Sequence, residues 1–127
     1  MVMMFCESVQ SAYPIQKGTD MAGTIKELTD LNFQENVKTG ITLVDFWAPW
    51  CPPCRKQGPI VDKVAEAFDG AATIAKMNVD ENQNVAGQLE VANIPTLIIF
   101  KDGKEVKRMV GLHEEADLKA AINAALS

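Results

Sequence analysis

The fold and the chemistry of this sequence are decided by one stretch, Val44-Asp-Phe-Trp-Ala-Pro-Trp-Cys-Pro-Pro-Cys54. Residues 41–47 are apolar, aromatic or β-branched on both faces, which is typical of a strand at the centre of a sheet. A helical pattern follows from about Cys51 to Phe68. The two cysteines therefore stand where a central strand has ended and a helix begins. In α/β sheets, ligand and catalytic sites gather at that edge.

The spacing of Cys51 and Cys54 predicts a redox-active disulfide. On the first turn of a helix, residues three apart bring their sulfur atoms close enough to bond. The free N–H groups and positive dipole end of the helix stabilise a thiolate, which is the nucleophile of disulfide exchange. We expect Cys51, at the helix tip, to be exposed and to attack the substrate. We expect Cys54 to be shielded and to resolve the mixed disulfide. Pro53 suits an early helical position, because its missing N–H would be unpaired there.

Two other uses of a Cys-x-x-Cys pair stay open at this point. The pair could form half of a zinc site, with Cys6 and His113 as the remaining ligands. These two residues are far apart in the sequence and no second paired motif accompanies them, so no metal is expected. The pair could also be a purely structural disulfide, although a helix tip favours a labile one.

The remaining pattern alternates strands and helices. It predicts strands over 24–27, 41–47, 72–79, 96–101 and 105–110, and helices from Thr29 or Asp30 to about Lys38 and over 51–68, 82–90 and 114–126. Pro59 lies inside the second helix and is expected to kink it. Asp102-Gly103 predicts a tight hairpin. The alternation implies parallel crossovers and the hairpin an antiparallel edge, so we expect a mixed sheet with helices on both faces.

Composition narrows the class of protein. The 127 residues are 47% hydrophobic and 23% charged, which suits one globular domain. The chain has a formal net charge of −5, so it lacks the excess of basic residues that is typical of a nucleic-acid binder. No apolar run is long enough to span a membrane, so no membrane partner is expected. One close cysteine pair with a single distant cysteine favours a reducing compartment, and we expect the protein in the cytoplasm.

The first residues differ from the rest. Residues 1–22 are unpatterned and contain Pro14 and Gly18, and the apolar start is too short for a signal peptide. We expect a flexible N-terminal extension or leader over 1–22 and a single domain over 23–127.

Four segments resemble the thioredoxin family and occur in the family's order: Val44–Cys54, Ala75–Asp80, Asn93–Leu97 and Phe100–Gly103. The similarity covers about residue 24 to the C-terminus. Four ordered matches are far more specific than a Cys-x-x-Cys motif alone. The resemblance implies an α/β thioredoxin fold, with a central mixed five-stranded sheet flanked by four helices.

The same resemblance implies roles around the cysteines. Cys51 and Cys54 match the family's redox pair. Asp45 matches a carboxylate buried beneath the pair, and a desolvated carboxyl group has a raised pKa and can take the proton of Cys54. Lys76 matches a buried lysine that partners this aspartate, although the pattern alone fits an exposed strand lysine nearly as well. Trp47 matches a tryptophan that packs near the site.

A substrate-binding surface also follows from the resemblance. Pro95 matches a cis-proline opposite the cysteines. With a cis bond, the backbone at Ile94 is free to pair with an extended substrate segment. Trp50, Ile94 and Gly111 would then line a flat apolar docking surface around Cys51.

Pro52 departs from the family pattern, since most thioredoxins have glycine at this position. A residue that precedes proline avoids the helical region, so Pro52-Pro53 should stiffen the helix start beside the docking surface. We expect a reduction potential that differs from that of thioredoxins with glycine here, and the sequence does not indicate whether it is higher or lower.

The resemblance implies a monomeric reductase of disulfides in oxidised proteins, with electrons from an NADPH-dependent thioredoxin reductase. The chain has no Gly-rich dinucleotide loop, so the Cys51–Cys54 disulfide is the redox group and no bound cofactor is expected. Two rivals remain. One is an oxidase or isomerase-type partner with the same site, and the other is a binding subunit in which redox chemistry is incidental.

Overall fold

A computed structural model describes residues 25–127, which fold into five strands and four helices. The elements are β1 (Ile25–Glu27), α1 (Phe33–Val37), β2 (Ile41–Trp47), α2 (Pro52–Ala67), β3 (Thr73–Asn78), α3 (Gln83–Gln88), β4 (Thr96–Lys101), β5 (Lys104–Val110) and α4 (Glu115–Leu126). The predicted element order is confirmed. The expected extension over 1–22 lies outside the described residues, and the domain boundary at residue 23 stays a prediction.

The sheet has the order β1-β3-β2-β4-β5, so the apolar strand β2 is central, as predicted. β1 and β2 both run parallel to β3. β4 runs antiparallel to β2 and to β5. The sheet is therefore mixed, because the first crossovers are made through helices and the last connection is a hairpin.

Side chains of β2 contribute to the hydrophobic core on both faces of the sheet. Ile41 and Leu43 face α2 and α4, and Val44 and Phe46 face α1 and α3. Successive side chains of a strand point to opposite faces. Asp45 has the same parity as Ile41 and Leu43, so a carboxylate enters the layer beneath α2, the helix that begins at the cysteines.

The predicted cap at Thr29 forms on the turn that leads into α1: Thr29 Oγ1 accepts from the Asn32 N–H at 3.3 Å, and Asn32 Oδ1 accepts from the Thr29 N–H at 2.7 Å. The alternative cap at Asp30 is wrong. α1 begins at Phe33, after a turn in which the Phe33 N–H donates to the Thr29 carbonyl at 3.0 Å. The Asp30 carboxylate instead reaches α3, where it accepts from the N–H groups of Val85 at 2.9 Å and Asn84 at 3.3 Å. These N–H groups belong to the first turn of α3, so they have no carbonyl partner within the helix. A carboxylate is a good acceptor for them, because it also interacts favourably with the positive end of the helix dipole. The partner lies 55 residues away, beyond any local pattern.

Replacing Asp30 with alanine is expected to lower the free energy of unfolding by about 1 kcal/mol, because two N–H groups of α3 lose their acceptor. Asp30→Asn keeps one acceptor oxygen and should lose less. Urea denaturation of the two variants and the wild type measures the difference. Equal stability of Asp30→Ala and the wild type would contradict the capping role.

Candidate active site

The start of α2 aims a backbone donor at a cysteine sulfur. Cys51 is the N-cap, with extended backbone (φ −98°, ψ 109°), and Pro52 and Pro53 are the first two helical residues. A residue before proline prefers this extended region, so the sequence itself sets the cap conformation. Neither proline has an N–H group, and the first donor of the helix is therefore the Cys54 N–H. It donates to Cys51 Sγ at 3.3 Å.

Cys51 and Cys54 form the disulfide that their spacing predicts, with Cα atoms 5.2 Å apart. The expectation that Cys51 is exposed is wrong for this oxidised form, since Cys51 is 3% exposed and Cys54 is 4% exposed. The Ile94 segment covers Cys51, and the Ile94 carbonyl oxygen lies 3.8 Å from its sulfur. Exposure thus does not distinguish the two sulfurs, whereas the hydrogen bond from the Cys54 N–H does.

Asp45 is buried beneath the pair, with 4% of its surface exposed. Its Oδ1 atom has no hydrogen-bond partner among the described residues. Burial raises the pKa of Asp45 from 3.8 to about 7, against a smaller lowering by the charge of Lys76. Asp45 and Cys54 line one cleft, whose other lining residues are Trp47, Pro49, Arg55, Gly58 and Lys76. A proton acceptor with a pKa near neutrality therefore shares a cleft with the inner cysteine.

Lys76 is placed beside Asp45 by the register of β2 and β3, but it is not buried as the resemblance implies. Its side chain is 42% exposed, and its ammonium lies 4.0 Å from the Glu27 carboxylate. The same ammonium lies 5.2 Å from the ring centre of Trp47, which is half-buried. The long stem of lysine lets the charge reach water, so Lys76 offsets only part of the cost of burying the Asp45 charge.

A shallow groove beside the disulfide gathers most of the predicted docking residues. Its lining consists of Pro52, Pro53, Lys56, Ile94, Pro95, Gly111 and Leu112. The Ile94–Pro95 peptide bond is cis. Gly111 has φ 94°, which a side chain disfavours, and its N–H donates to the Pro95 carbonyl at 2.8 Å. The glycine therefore brings the loop after β5 against the cis-proline.

Trp50 is the predicted docking residue that does not line this groove. It is 62% exposed, and its indole N–H donates to Asp80 Oδ2 at 2.8 Å. The hydrogen bond fixes the indole beside the cysteines but outside the groove. Asp80 ends a segment that resembles the family, and no sequence signal linked it to Trp50.

Gln57 is a second residue at the site that sequence reasoning missed. It is fully buried on α2, one turn after Cys54. The sequence does indicate its burial, because Gln57 lies on the same face of α2 as the buried residues Cys54 and Val61. A polar residue on a buried stripe needs hydrogen-bond partners. The partners of Gln57 are backbone groups of His113.

Two other classes of site find no support in the part of the chain that the structure describes. Within residues 25–127, no group of three or more His, Cys, Asp or Glu side chains is arranged to hold a metal ion. The zinc alternative also needs Cys6, which lies outside these residues. The helices of the same region are all too short or too polar to cross a membrane.

A disulfide at a helix N-terminus, above a buried carboxyl group and beside a cis-proline, defines a thiol–disulfide oxidoreductase on an α/β sheet. The thioredoxin family profile matches residues 24–124. Thioredoxins of Staphylococcus saprophyticus and Staphylococcus haemolyticus are each 46% identical to the chain, over 77% and 78% of it and 94% and 95% of their own lengths. A mutant thioredoxin from Halobacterium salinarum NRC-1 superposes with a TM-score of 0.77 at 35% identity, over 87% of this chain and 97% of its own.

The chain belongs to the thioredoxin family, and it is a protein-disulfide reductase. The expected fold is confirmed, with five strands in a mixed sheet and four helices in residues 25–127. The expected reduction of protein disulfides through Cys51 and Cys54 is confirmed as the activity of this class.

Asp45→Asn is expected to stabilise the protein at alkaline pH. The folded pKa of about 7 lies above the unfolded value of 3.8, so the folded state holds its proton more tightly and loses stability as pH rises between these values. Above pH 7 the penalty is at most about 4 kcal/mol, at about 1.4 kcal/mol per pKa unit, and the variant is relieved of it. Urea denaturation at pH 8 and pH 4 measures the difference between the variant and the wild type.

The gain should be large at pH 8 and should fall to about 0.5 kcal/mol at pH 4, where the wild-type carboxyl group is neutral in the folded state and only about half ionised in the unfolded state. Asp62→Asn is the control, because it makes the same change at an exposed position of α2. A gain of equal size at both pH values would refute a buried, desolvated carboxylate.

Proposed function

We propose that Cys51 is the attacking thiol and Cys54 the resolving thiol. The observation that carries this assignment is the hydrogen bond from the Cys54 N–H to Cys51 Sγ, at the positive end of α2. Backbone N–H groups at a helix N-terminus stabilise a thiolate and lower its pKa. The sulfur that accepts the bond is therefore the better nucleophile at neutral pH.

The reaction proceeds in two exchanges. The Cys51 thiolate attacks one sulfur of the substrate disulfide, forms a mixed disulfide with it and expels the other substrate sulfur as a thiolate, which takes up a proton. Cys54 then loses its proton and attacks Cys51 Sγ. The Cys51–Cys54 disulfide forms, and the second substrate sulfur leaves as a thiolate. Two electrons pass to the substrate, and the protein ends as the disulfide described above.

We further propose that Asp45 accepts the proton of Cys54 in the second exchange. Asp45 and Cys54 line one cleft, and the pKa of about 7 suits an acceptor that is used near neutral pH. The nearby positive charge of Lys76 holds the pKa of Asp45 below the value that burial alone would give. The cleft is open to water, which can bridge the carboxylate and the thiol.

The apolar groove is proposed to dock the substrate. An extended segment of an oxidised protein would lie along Pro52, Pro53, Ile94, Pro95 and Gly111, with its disulfide beside Cys51. The exposed indole of Trp50, next to Cys51 in the chain, would add to this apolar surface outside the groove. Strand-like pairing with the backbone at Ile94 gives affinity that depends little on side chains, which suits a reductase of many proteins.

Proteins of the thioredoxin family generally work with thioredoxin reductase and disulfide-containing substrates. For this chain we propose an NADPH-dependent thioredoxin reductase as the electron source, general oxidised proteins as substrates and a monomer in the cytoplasm as the working form. The redox group is the cysteine pair, and no bound cofactor is required by the two exchanges. The proposed role is electron transport in cell redox homeostasis.

An insulin-reduction assay with NADPH and thioredoxin reductase tests this proposal. The wild type should turn over, and Cys51→Ser should be inactive. Cys54→Ser should form a mixed disulfide with insulin that persists, because no second thiol displaces the substrate. All proteins carry Cys6→Ser, so that the third thiol forms no adduct. Mass spectrometry of the intact protein detects the adduct.

Asp45→Asn is the third arm of the same assay. It should form the mixed disulfide at the wild-type rate and resolve it about 100-fold more slowly at pH 7, because the loss of a general base typically costs at least this factor. An adduct that persists in Cys51→Ser and not in Cys54→Ser would reverse the roles of the cysteines. Wild-type protein that is reduced by dithiothreitol but not by the reductase would reject the proposed electron source.

A further inference from the structure

Gln57 is a fully buried polar side chain whose role the two exchanges do not explain. It lies on α2 one turn after Cys54, where the neighbouring buried positions of the stripe hold Cys54 and Val61. Burying an amide group without hydrogen bonds is strongly unfavourable, because the group loses its bonds to water. The amide must therefore be matched by specific partners.

Both ends of the amide are matched by one residue. Gln57 Nε2 donates to the His113 carbonyl at 3.0 Å, and the His113 N–H donates to Gln57 Oε1 at 2.9 Å. His113 lies in the connection between β5 and α4, after the strand pairing with β4 has ended at Val110. The side chain thus gives this loop the pair of hydrogen bonds that a neighbouring strand would otherwise supply.

The loop that Gln57 holds forms one wall of the docking groove. Gly111 and Leu112 line the groove, opposite Pro52 and Pro53 at the start of α2. The wall is fixed at a second point, because the Gly111 N–H donates to the Pro95 carbonyl. Gln57 is on the same helix as the cysteines. The amide therefore ties the wall of the groove to the helix that carries the reacting sulfurs.

We propose that Gln57 is a positioning residue that determines the affinity for protein substrates by holding the loop of Gly111, Leu112 and His113 at a fixed distance from α2. The proposal rests on the docking groove proposed above and adds the element that preorganises it. Because the loop is already ordered, less conformational entropy is lost when a substrate binds, and the affinity is higher. A small disulfide that reaches Cys51 without filling the groove gains nothing from that wall.

Gln57→Met tests the inference, because methionine fills a similar volume and makes neither hydrogen bond. The His113 N–H and carbonyl would be left to find water, and the loop would lose its fixed position. We expect KM for insulin to rise about three- to tenfold, as for the loss of a net hydrogen bond, with kcat unchanged. The rate with dithiobis-nitrobenzoate, a small disulfide, should stay within about twofold of the wild type.

Dithiothreitol recycles the protein in the insulin assay. The small disulfide is instead mixed, in a single turnover, with Cys6→Ser protein that has been reduced and freed of dithiothreitol, so neither result depends on a reductase. Turnover of insulin by the wild type tests the proposed function by itself, and the ratio of variant to wild type tests this inference. Val37→Ala is the matched control, since Val37 is buried in the core on the opposite face of the sheet. It should reduce stability and leave KM for insulin unchanged.

Gln57→Glu gives a second readout that a structural role would not produce. A protonated carboxyl group can donate to the His113 carbonyl and accept from its N–H, whereas a carboxylate can only accept. The ratio of KM between this variant and the wild type should therefore fall toward one as the pH is lowered. The inference is overturned if KM is unchanged in Gln57→Met, if the rate with the small disulfide falls by the same factor, or if Val37→Ala raises KM equally.

Discussion

The proposed mechanism depends on one hydrogen bond, from the first N–H group of α2 to the sulfur of Cys51. Two consecutive prolines make it the first, because they occupy the first two helical positions and have no donor of their own. Pro52 also forces Cys51 into the extended backbone that an N-cap requires. Pro52, which stands where most thioredoxins have glycine, therefore restricts the backbone of Cys51 to the conformation seen here.

The sheet determines what lies beneath that sulfur pair. β2 is central, and its alternation brings the Asp45 carboxyl group into an apolar layer under α2. The fold bears the cost of desolvating this group, which Lys76 offsets only in part because its own charge stays near water. A group that burial holds near pKa 7 is a poor contributor to stability and a suitable proton acceptor, which is the usual compromise at a catalytic site.

Features that depend on local pattern could be predicted from the sequence. The central strand, the hairpin at Asp102-Gly103 and the placement of the cysteines at a helix start all follow from periodicity, turn chemistry and proline positions. The proposed docking residues were predicted from the family resemblance, and the structure brings all of them together in one groove except Trp50.

Features that depend on distant partners could not be predicted. Asp30 caps a helix far along the chain instead of its own, and the exposure of Lys76 and the burial of Cys51 depend on what the neighbouring segments cover. Gln57 is an intermediate case. Its position on a buried stripe was visible, but its partner His113 is 56 residues away.

The rate at which iodoacetamide alkylates Cys51 in the reduced protein, measured against pH in a Cys6→Ser background, tests the central claim most directly. A thiolate stabilised by the N–H of α2 should react at neutral pH faster than a free cysteine and titrate below the ordinary value of about 8.5. Cys51→Ser, which retains only Cys54, should react much more slowly. A Cys51 thiol that reacts no faster than free cysteine at pH 7 would contradict the account.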